Sequence, residues 1–457
     1  MFRMRKSIAL ELATLLILAL AACGGDSASP QQPSTPGSQP SNDPGSNTPA
    51  PADKVTLTFA MMAFANEIDG WTAMIDEANK ILASKNIEIE IMLVPGTGWP
   101  EYYQKVITQM AGGQSPDLGR IAESFMPTLI DKEQVVDLTS YLSNDFEMSQ
   151  YYESTFRNAA YQNGKYYGIP SGLYNYVMYY NKDLFDAAGI AYPSTDWNNA
   201  ISFSAVRSAA QTLTSGEGAE KVYGFSAGPY LAALGMFSTS IGGNNIFDAN
   251  GNPSVNDAPT KRVIQWFDDM LRTDYSMPRP TDTAVMGAFE MFMSGRVAMV
   301  MDGTWWLGAL GAIDGFEVGI SAVPAGDGGT AFTSQFVDSF VIYSGTKHEK
   351  EAWEALKALT SVQAFEVLSQ TGVGGIPPAQ AVANRVIDEN IGDSVDAASK
   401  KAAMDALNHT LGVPYNEFYQ EADQKVNSTM DEWLLGRITS DQHADNIQQI
   451  LLDYAAR

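Results

Sequence analysis

Trp305 and Trp306 stand side by side directly after Asp302-Gly303, which brings two large aromatic faces and a carboxylate into one short stretch. A polyhydroxylated ring has flat C–H faces rimmed by hydroxyls. Holding one takes an aromatic platform plus edge groups that accept and donate hydrogen bonds. The tryptophan pair offers the platform and Asp302 an edge acceptor, and the pattern does not decide which of the two rings faces a ligand. Related residue types recur in Phe64, Glu67, Trp99 and Glu123, then in Tyr174, Tyr230 and Phe336. Each lies beside an apolar stretch that reads as a strand, where open α/β sheets present their binding loops.

The same carboxylates leave a second chemistry open, because a glycosidase needs two carboxyl groups about 5 to 10 Å apart. Other catalytic constellations are missing. The chain has neither a His-Glu-x-x-His metal motif nor a Gly-x-Ser-x-Gly nucleophile turn. His348, His409 and His443 fall in charged or helical surroundings and read as surface residues. Asp248-Ala249-Asn250-Gly251-Asn252 lacks the later glycine and glutamate of a calcium loop, so it reads as a hairpin turn. Tyr415, Phe418 and Trp433 read as packing residues. The expectation is a chain with no catalytic residue, no metal and no cofactor.

Arg3, Arg5 and Lys6 precede the apolar run Leu12 to Ala22, the composition of an export signal too short to span a bilayer. Cys23 follows at once and is the single cysteine of 457 residues, so it cannot form a disulfide within the chain. Gly24 to Pro51 holds only small, polar and proline residues and reads as a disordered spacer. A formal net charge of -25 argues against nucleic acid as a partner, since backbone contacts require a basic surface.

The elements that must carry these residues follow from periodicity. Val55, Leu57 and Phe59 alternate with smaller or polar residues as in a strand, and a helix over Trp71–Leu82 leads to a second strand over Ile87–Leu93. A helix from Pro100 precedes a strand over Leu118–Ala122. Such alternation predicts parallel pairing. Farther on, Val177–Tyr180 reads as a strand and Asn181 as the cap of a helix Lys182–Ala188 that Gly189 ends. Helices are expected over Trp197–Leu213, Thr260–Leu271, Asp282–Met293 and Glu349–Leu359. Strands are expected over Val297–Met301, Phe316–Ala322 and Phe340–Tyr343. After Pro378 nearly everything reads as helical.

Several stretches together resemble the large sugar-binding family of extracellular solute-binding proteins that serve ABC importers. They are Gly164-Lys165-Tyr166-Tyr167-Gly168-Ile169-Pro170, Tyr179-Tyr180-Asn181-Lys182-Asp183-Leu184-Phe185, Phe292-Met293-Ser294-Gly295-Arg296-Val297-Ala298-Met299, Gly303-Thr304-Trp305-Trp306, Pro324-Ala325-Gly326-Asp327 and Gly375-Ile376-Pro377. Leu20-Ala21-Ala22-Cys23-Gly24 resembles the lipobox of bacterial lipoproteins, which implies a signal peptide over 1–22 and a palmitate-bearing Cys23 heading a linker over 23–53. The resemblance implies a two-lobe, type II periplasmic-binding-protein-like α/β fold with the ligand cleft between lobes and a helical C-terminal region. Lobe 1 is expected over 54–172 plus 319–377 and lobe 2 over 173–318 plus 378–457. The implied function is that of a membrane-anchored, extracytoplasmic, monomeric receptor. It would capture a carbohydrate, a neutral oligosaccharide, and deliver it to ABC permease subunits. A carbohydrate-active enzyme and a solute sensor not coupled to transport remain the competing readings.

Overall fold

Alternation in the first strand, β1 (Val55–Met62), sends Leu57, Phe59 and Met61 into one apolar cluster and Ala60 and Met62 into another. A strand buried on both faces in this way must lie inside a layered α/β body. The computed structural model describes residues 54–457 apart from 63–66, 96–97, 285, 328, 392–394 and 417. The expected signal sequence, Cys23 and the spacer lie outside the described residues, as does Phe64. No helix among the described residues is long and apolar enough to cross a membrane.

β2 (Ile87–Val94) runs parallel to β1, with Val55 opposite Ile87, and forms an edge that carries Glu88 and Glu90. Charges on an edge strand discourage pairing with other chains. β3 (Leu118–Ile121) lies parallel to β1 on its other side. The helices Ile68–Leu82 and Trp99–Ala111 make the two crossovers, so parallel pairing holds in this part.

A small hairpin of β4 (Tyr161–Gln162) and β5 (Lys165–Tyr166) leads into β6 (Ile169–Asn181), of whose residues only Tyr176 is not fully buried. Then come β7 (Ser226–Ala227), β8 (Met299–Gly303), β9 (Val318–Ser321), β10 (Thr333–Ile342) and β11 (Thr410–Gly412). The sheet order is β2-β1-β3-β10-β6-β8-β7, with β11 beside β10 and β9 beside β6. β6 is shared: residues 169–175 pair with β10, and residues 176–181 pair with β8 and β9.

One expectation needs correction. β10 is antiparallel to both β3 and β6, because the chain comes back from the far half heading the other way. β9 pairs with the far end of β6, and β10 is the strand that reaches β3. The helix Gln380–Asn390 gives Val382 and Val386 to one apolar cluster and Ala383 and Ile387 to the other. The helical tail is interrupted by β11, which pairs parallel with β10, Thr410 opposite Thr333.

Local signals otherwise explain the elements. Asn181 Oδ1 accepts a hydrogen bond from Leu184 N at 3.1 Å, and Gly189 ends that helix in the left-handed region at φ 65°. The expected helix over Trp197–Leu213 is split, starting afresh at Phe203 under a Ser202 cap. Gly287 likewise divides Asp282–Met293. At Asn250-Gly251 the turn forms as expected, held by Asp248 Oδ1, which accepts from the Asn250 and Asn252 N–H groups. Isolated bridges, not paired strands, flank it.

His348 is exposed, but His443 is 1 % exposed and corrects the surface reading. Its ring lies on Trp433, centroids 4.7 Å apart and 5° from parallel, because the helices Tyr419–Leu434 and Ser440–Ala455 pack together there. Neither imidazole nitrogen has a hydrogen-bond partner. Burial, with the Arg272 charge adding to it, lowers this histidine from 6.5 to about 4. Its contribution to stability is therefore present above about 6.5 and is lost as the pH falls through about 4. His443→Phe keeps the stack and removes the unpaired nitrogens. Its melting temperature, followed by scanning fluorimetry from pH 4 to 7, is expected to match or exceed that of the parent and to fall less on the acid side.

Candidate functional site

A charge in a buried strand must be paired, and Arg120 of β3 shows how. Its guanidinium lies 4.5 Å from the Trp71 ring centroid and 5.1 Å from that of Trp99. Nη2 donates to Asp338 Oδ2 at 2.5 Å and to the Tyr174 hydroxyl at 2.8 Å, while Nη1 sits 3.6 Å from Glu67 Oε2. The Trp71 indole also donates to Glu67 Oε2. Strands β3, β10 and β6 are thus tied together where they border a cavity of about 850 Å³. That size is in the range of small-molecule binding sites.

Glu123, in the turn just after β3, is fully buried at the cavity wall. Its two oxygens accept from Val337 N at 3.1 Å and from the Tyr415 hydroxyl at 2.7 Å. Desolvation raises its carboxyl from 4.5 to about 7, and the neighbouring Asp338 charge adds to the shift against those two hydrogen bonds. Burial likewise pushes Asp338 up against the pull of Arg120.

Aromatic rings form the facing wall. Trp305 is 39 % exposed, and Tyr174, Tyr176 and Phe336 surround it at centroid distances of 6.1, 5.9 and 6.1 Å, all of them inclined. Trp306 has one face taken by Phe289, at 4.3 Å and 10°. Tyr230, 52 % exposed, lines the same cavity. The turn Thr371–Gly375 closes one end; a Cβ on Gly308 would lie 2.3 Å from Gly372 O, so the two backbones touch there.

Glu67, Trp99, Glu123, Tyr174, Tyr230, Trp305, Trp306 and Phe336 therefore meet around one space. Asp302 does not line it and is corrected as a rim acceptor. Its carboxylate accepts from Gly303 N at 2.7 Å and takes hydrogen bonds from both neighbouring indoles, and desolvation raises it to about 6. It holds the tryptophans from behind. Tyr415 packs against the core and also lines the cavity, together with Tyr419, Gln420 and Asp423. Phe418 and Trp433 do pack, as expected. Arg120 and the tail residues were absent from the candidates drawn from the sequence. The available signal for Arg120 was a single cation inside the buried run Leu118-Gly119-Arg120-Ile121. No group of histidine, cysteine, aspartate or glutamate side chains able to hold a metal occurs among the described residues.

Two α/β lobes that share strands around such a cavity define a periplasmic-binding-protein-like fold. The chain belongs to the bacterial extracellular solute-binding proteins, whose family model matches residues 64–364. An ABC substrate-binding protein of Listeria monocytogenes in complex with cycloalternan superposes with a TM-score of 0.78 at 20 % identity, covering 88 % of this chain and 100 % of that one. A maltose-bound protein of T. maritima gives a TM-score of 0.72 at 18 % identity, covering 87 % and 99 %. A protein of Brucella abortus described as a binding protein is 24 % identical over 287 residues, which is 62 % of this chain and 67 % of that one.

The raised Glu123 carboxyl fixes the sign of a pH effect. Its contribution to stability is fully present below about 4.5 and is lost as the pH rises through about 7. Glu123→Gln is expected to flatten the fall in melting temperature between these two values, as measured by differential scanning calorimetry across that range.

Proposed function

We propose that this solute-binding protein captures a neutral oligosaccharide by lobe closure and delivers it to an ABC permease. The observation that carries the reading is the pairing, in one cavity, of solvent-facing Trp305 and Tyr230 rings with carboxylates whose only nearby cation is already engaged. Arg120 is the one lysine or arginine lining the cavity among the described residues, and Asp338 and Glu67 occupy it. An anionic ligand would meet Glu67, Glu123, Asp338 and Asp423 with no free positive partner, whereas a neutral sugar can use them as acceptors. The maltose and cycloalternan held by the solved relatives support the same ligand class.

A ligand that touches both lobes favours the closed arrangement by the difference in its contacts with the two states. Lipidation of Cys23 would keep the receptor beside its permease on the extracytoplasmic face of the cell membrane, raising the local concentration without new contacts. The spacer after it would let the body stand clear of the surface.

Calorimetry of the purified protein against a carbohydrate panel tests the ligand class. Binding of one or more neutral oligosaccharides is expected, with Trp305→Ala weakening it by roughly tenfold through loss of the stacking face. Binding of amino acids or peptides and of no carbohydrate would sink the reading. For the anchor, Cys23→Ala is expected to move the protein from the membrane to the soluble fraction, followed by fractionation and immunoblotting.

A further inference from the structure

The two large rings most open to the cavity share an unusual support. A Cβ built on Gly303 would lie 2.2 Å from both Cε3 and Cζ3 of Trp305, and one built on Gly228 would lie 2.0 Å from Cε2 of Tyr230. Real Cβ atoms essentially never come within 3.0 Å of a neighbour, so each ring occupies the space that a side chain on the glycine would need. The spacing is the same in both cases, Gly303-Thr304-Trp305 and Gly228-Pro229-Tyr230. Gly303 caps the 3-10 helix Thr304–Ala312 and Trp305 is its second residue, whereas Tyr230 caps the helix Leu231–Ser240; in both places the ring folds back over the glycine two residues earlier.

Backbone conformation does not demand glycine at these positions. Gly303 has φ -83° and ψ 158°, an ordinary extended conformation, and Gly228 is not among the residues with positive φ. Gly172-Leu173-Tyr174 repeats the spacing at the cavity, with a Cβ on Gly172 falling 2.8 Å from the tyrosine hydroxyl. Away from the cavity, Gly164-Lys165-Tyr166 has the same spacing, yet nothing lies within 4 Å of a Cβ on Gly164.

We propose that Gly303 and Gly228 are positioning residues of the carbohydrate site: each leaves bare the strip of backbone on which the downstream ring lies and so sets the plane a sugar stacks against. The proposal rests on the carbohydrate reading of the cavity given above. Among the described residues Trp305 has no parallel aromatic neighbour, in contrast to Trp306 on Phe289; Asp302 holds its indole N–H, and the bare backbone of Gly303 seats its six-membered ring. An added methyl group would tilt the ring off its seat without touching a ligand.

Gly172 is a poor probe, because a Cβ there would also meet Gly374 O at 2.5 Å. Gly303→Ala and Gly228→Ala are the direct tests, each checked first for an unchanged cooperative melt. In protein labelled with 5-fluorotryptophan, the Trp305 fluorine resonance is assigned by its loss in Trp305→Phe. Gly303→Ala is expected to move that resonance in the ligand-free protein and leave those of distant tryptophans in place.

Calorimetry with maltose, mannotriose and cycloalternan supplies the functional arm. Gly303→Ala and Trp305→Ala are each expected to weaken binding by roughly tenfold, and the double variant to be no weaker than Trp305→Ala alone. Gly228→Ala with Tyr230→Ala gives an independent second cycle. An unmoved fluorine resonance, or losses that multiply in both double variants, would overturn the positioning role. Failure of the parent protein to bind any carbohydrate overturns the site reading instead, and the fluorine shift separates the two failures.

Discussion

A guanidinium buried among three strands has to be neutralised where it stands, and much of this structure is arranged around that need at Arg120. Asp338 from β10, the Tyr174 hydroxyl from β6 and Glu67 before the first helix all turn toward it, and the Trp71 and Trp99 rings stack near its faces. Removing one partner from such a cluster leaves an uncompensated charge out of water, which typically costs about 3 to 5 kcal/mol. All of these groups but Trp71 border the cavity, so the interactions that hold the strands in register also hold the cavity wall in shape. Among the described residues they leave the cavity with acceptors and with Arg120 as its one lysine or arginine, already ion-paired.

Part of the cavity wall could be read from the sequence because it obeys local rules. Glu67, Trp99 and Glu123 follow the ends of parallel strands, and Trp305 and Trp306 follow β8, the positions from which α/β sheets present loops to a ligand. Asn181 and Gly189 punctuate their helix as composition predicts. What local rules miss is partnership. Arg120 and Asp338 are 218 positions apart, and neither has a neighbour in sequence that hints at the other. Asp302 looks like a rim acceptor from its place beside two tryptophans, but that same closeness lets the indole N–H groups claim it.

The tail departs from its helix-forming composition at one place, for a related reason. Helix-forming composition after Pro378 hides Thr410–Gly412, three residues that become a strand only because β10 offers an open flank. Tyr415 follows soon after and donates to Glu123 at the cavity wall, a contact that no periodicity foretells. His443 reads as a surface residue in a polar helix until the Trp433 ring covers it. In each case the deciding partner comes from another element, and the propensity of the segment itself is secondary.

The placing of β10 has a consequence for how the molecule comes to exist. Besides β6, its neighbours are β3, more than two hundred residues earlier, and β11, which begins at Thr410 near the far end of the chain. Closing loops of that length costs entropy before any contact rewards it, so the central sheet is a late event in folding. A chain emerging in order from its N-terminus can assemble β1, β2 and β3 early, yet it has no finished cavity until Tyr415 has arrived. Ligand binding and completion of the fold thus depend on the same last stretch of polypeptide, and a molecule truncated before it would expose open strand edges to its neighbours.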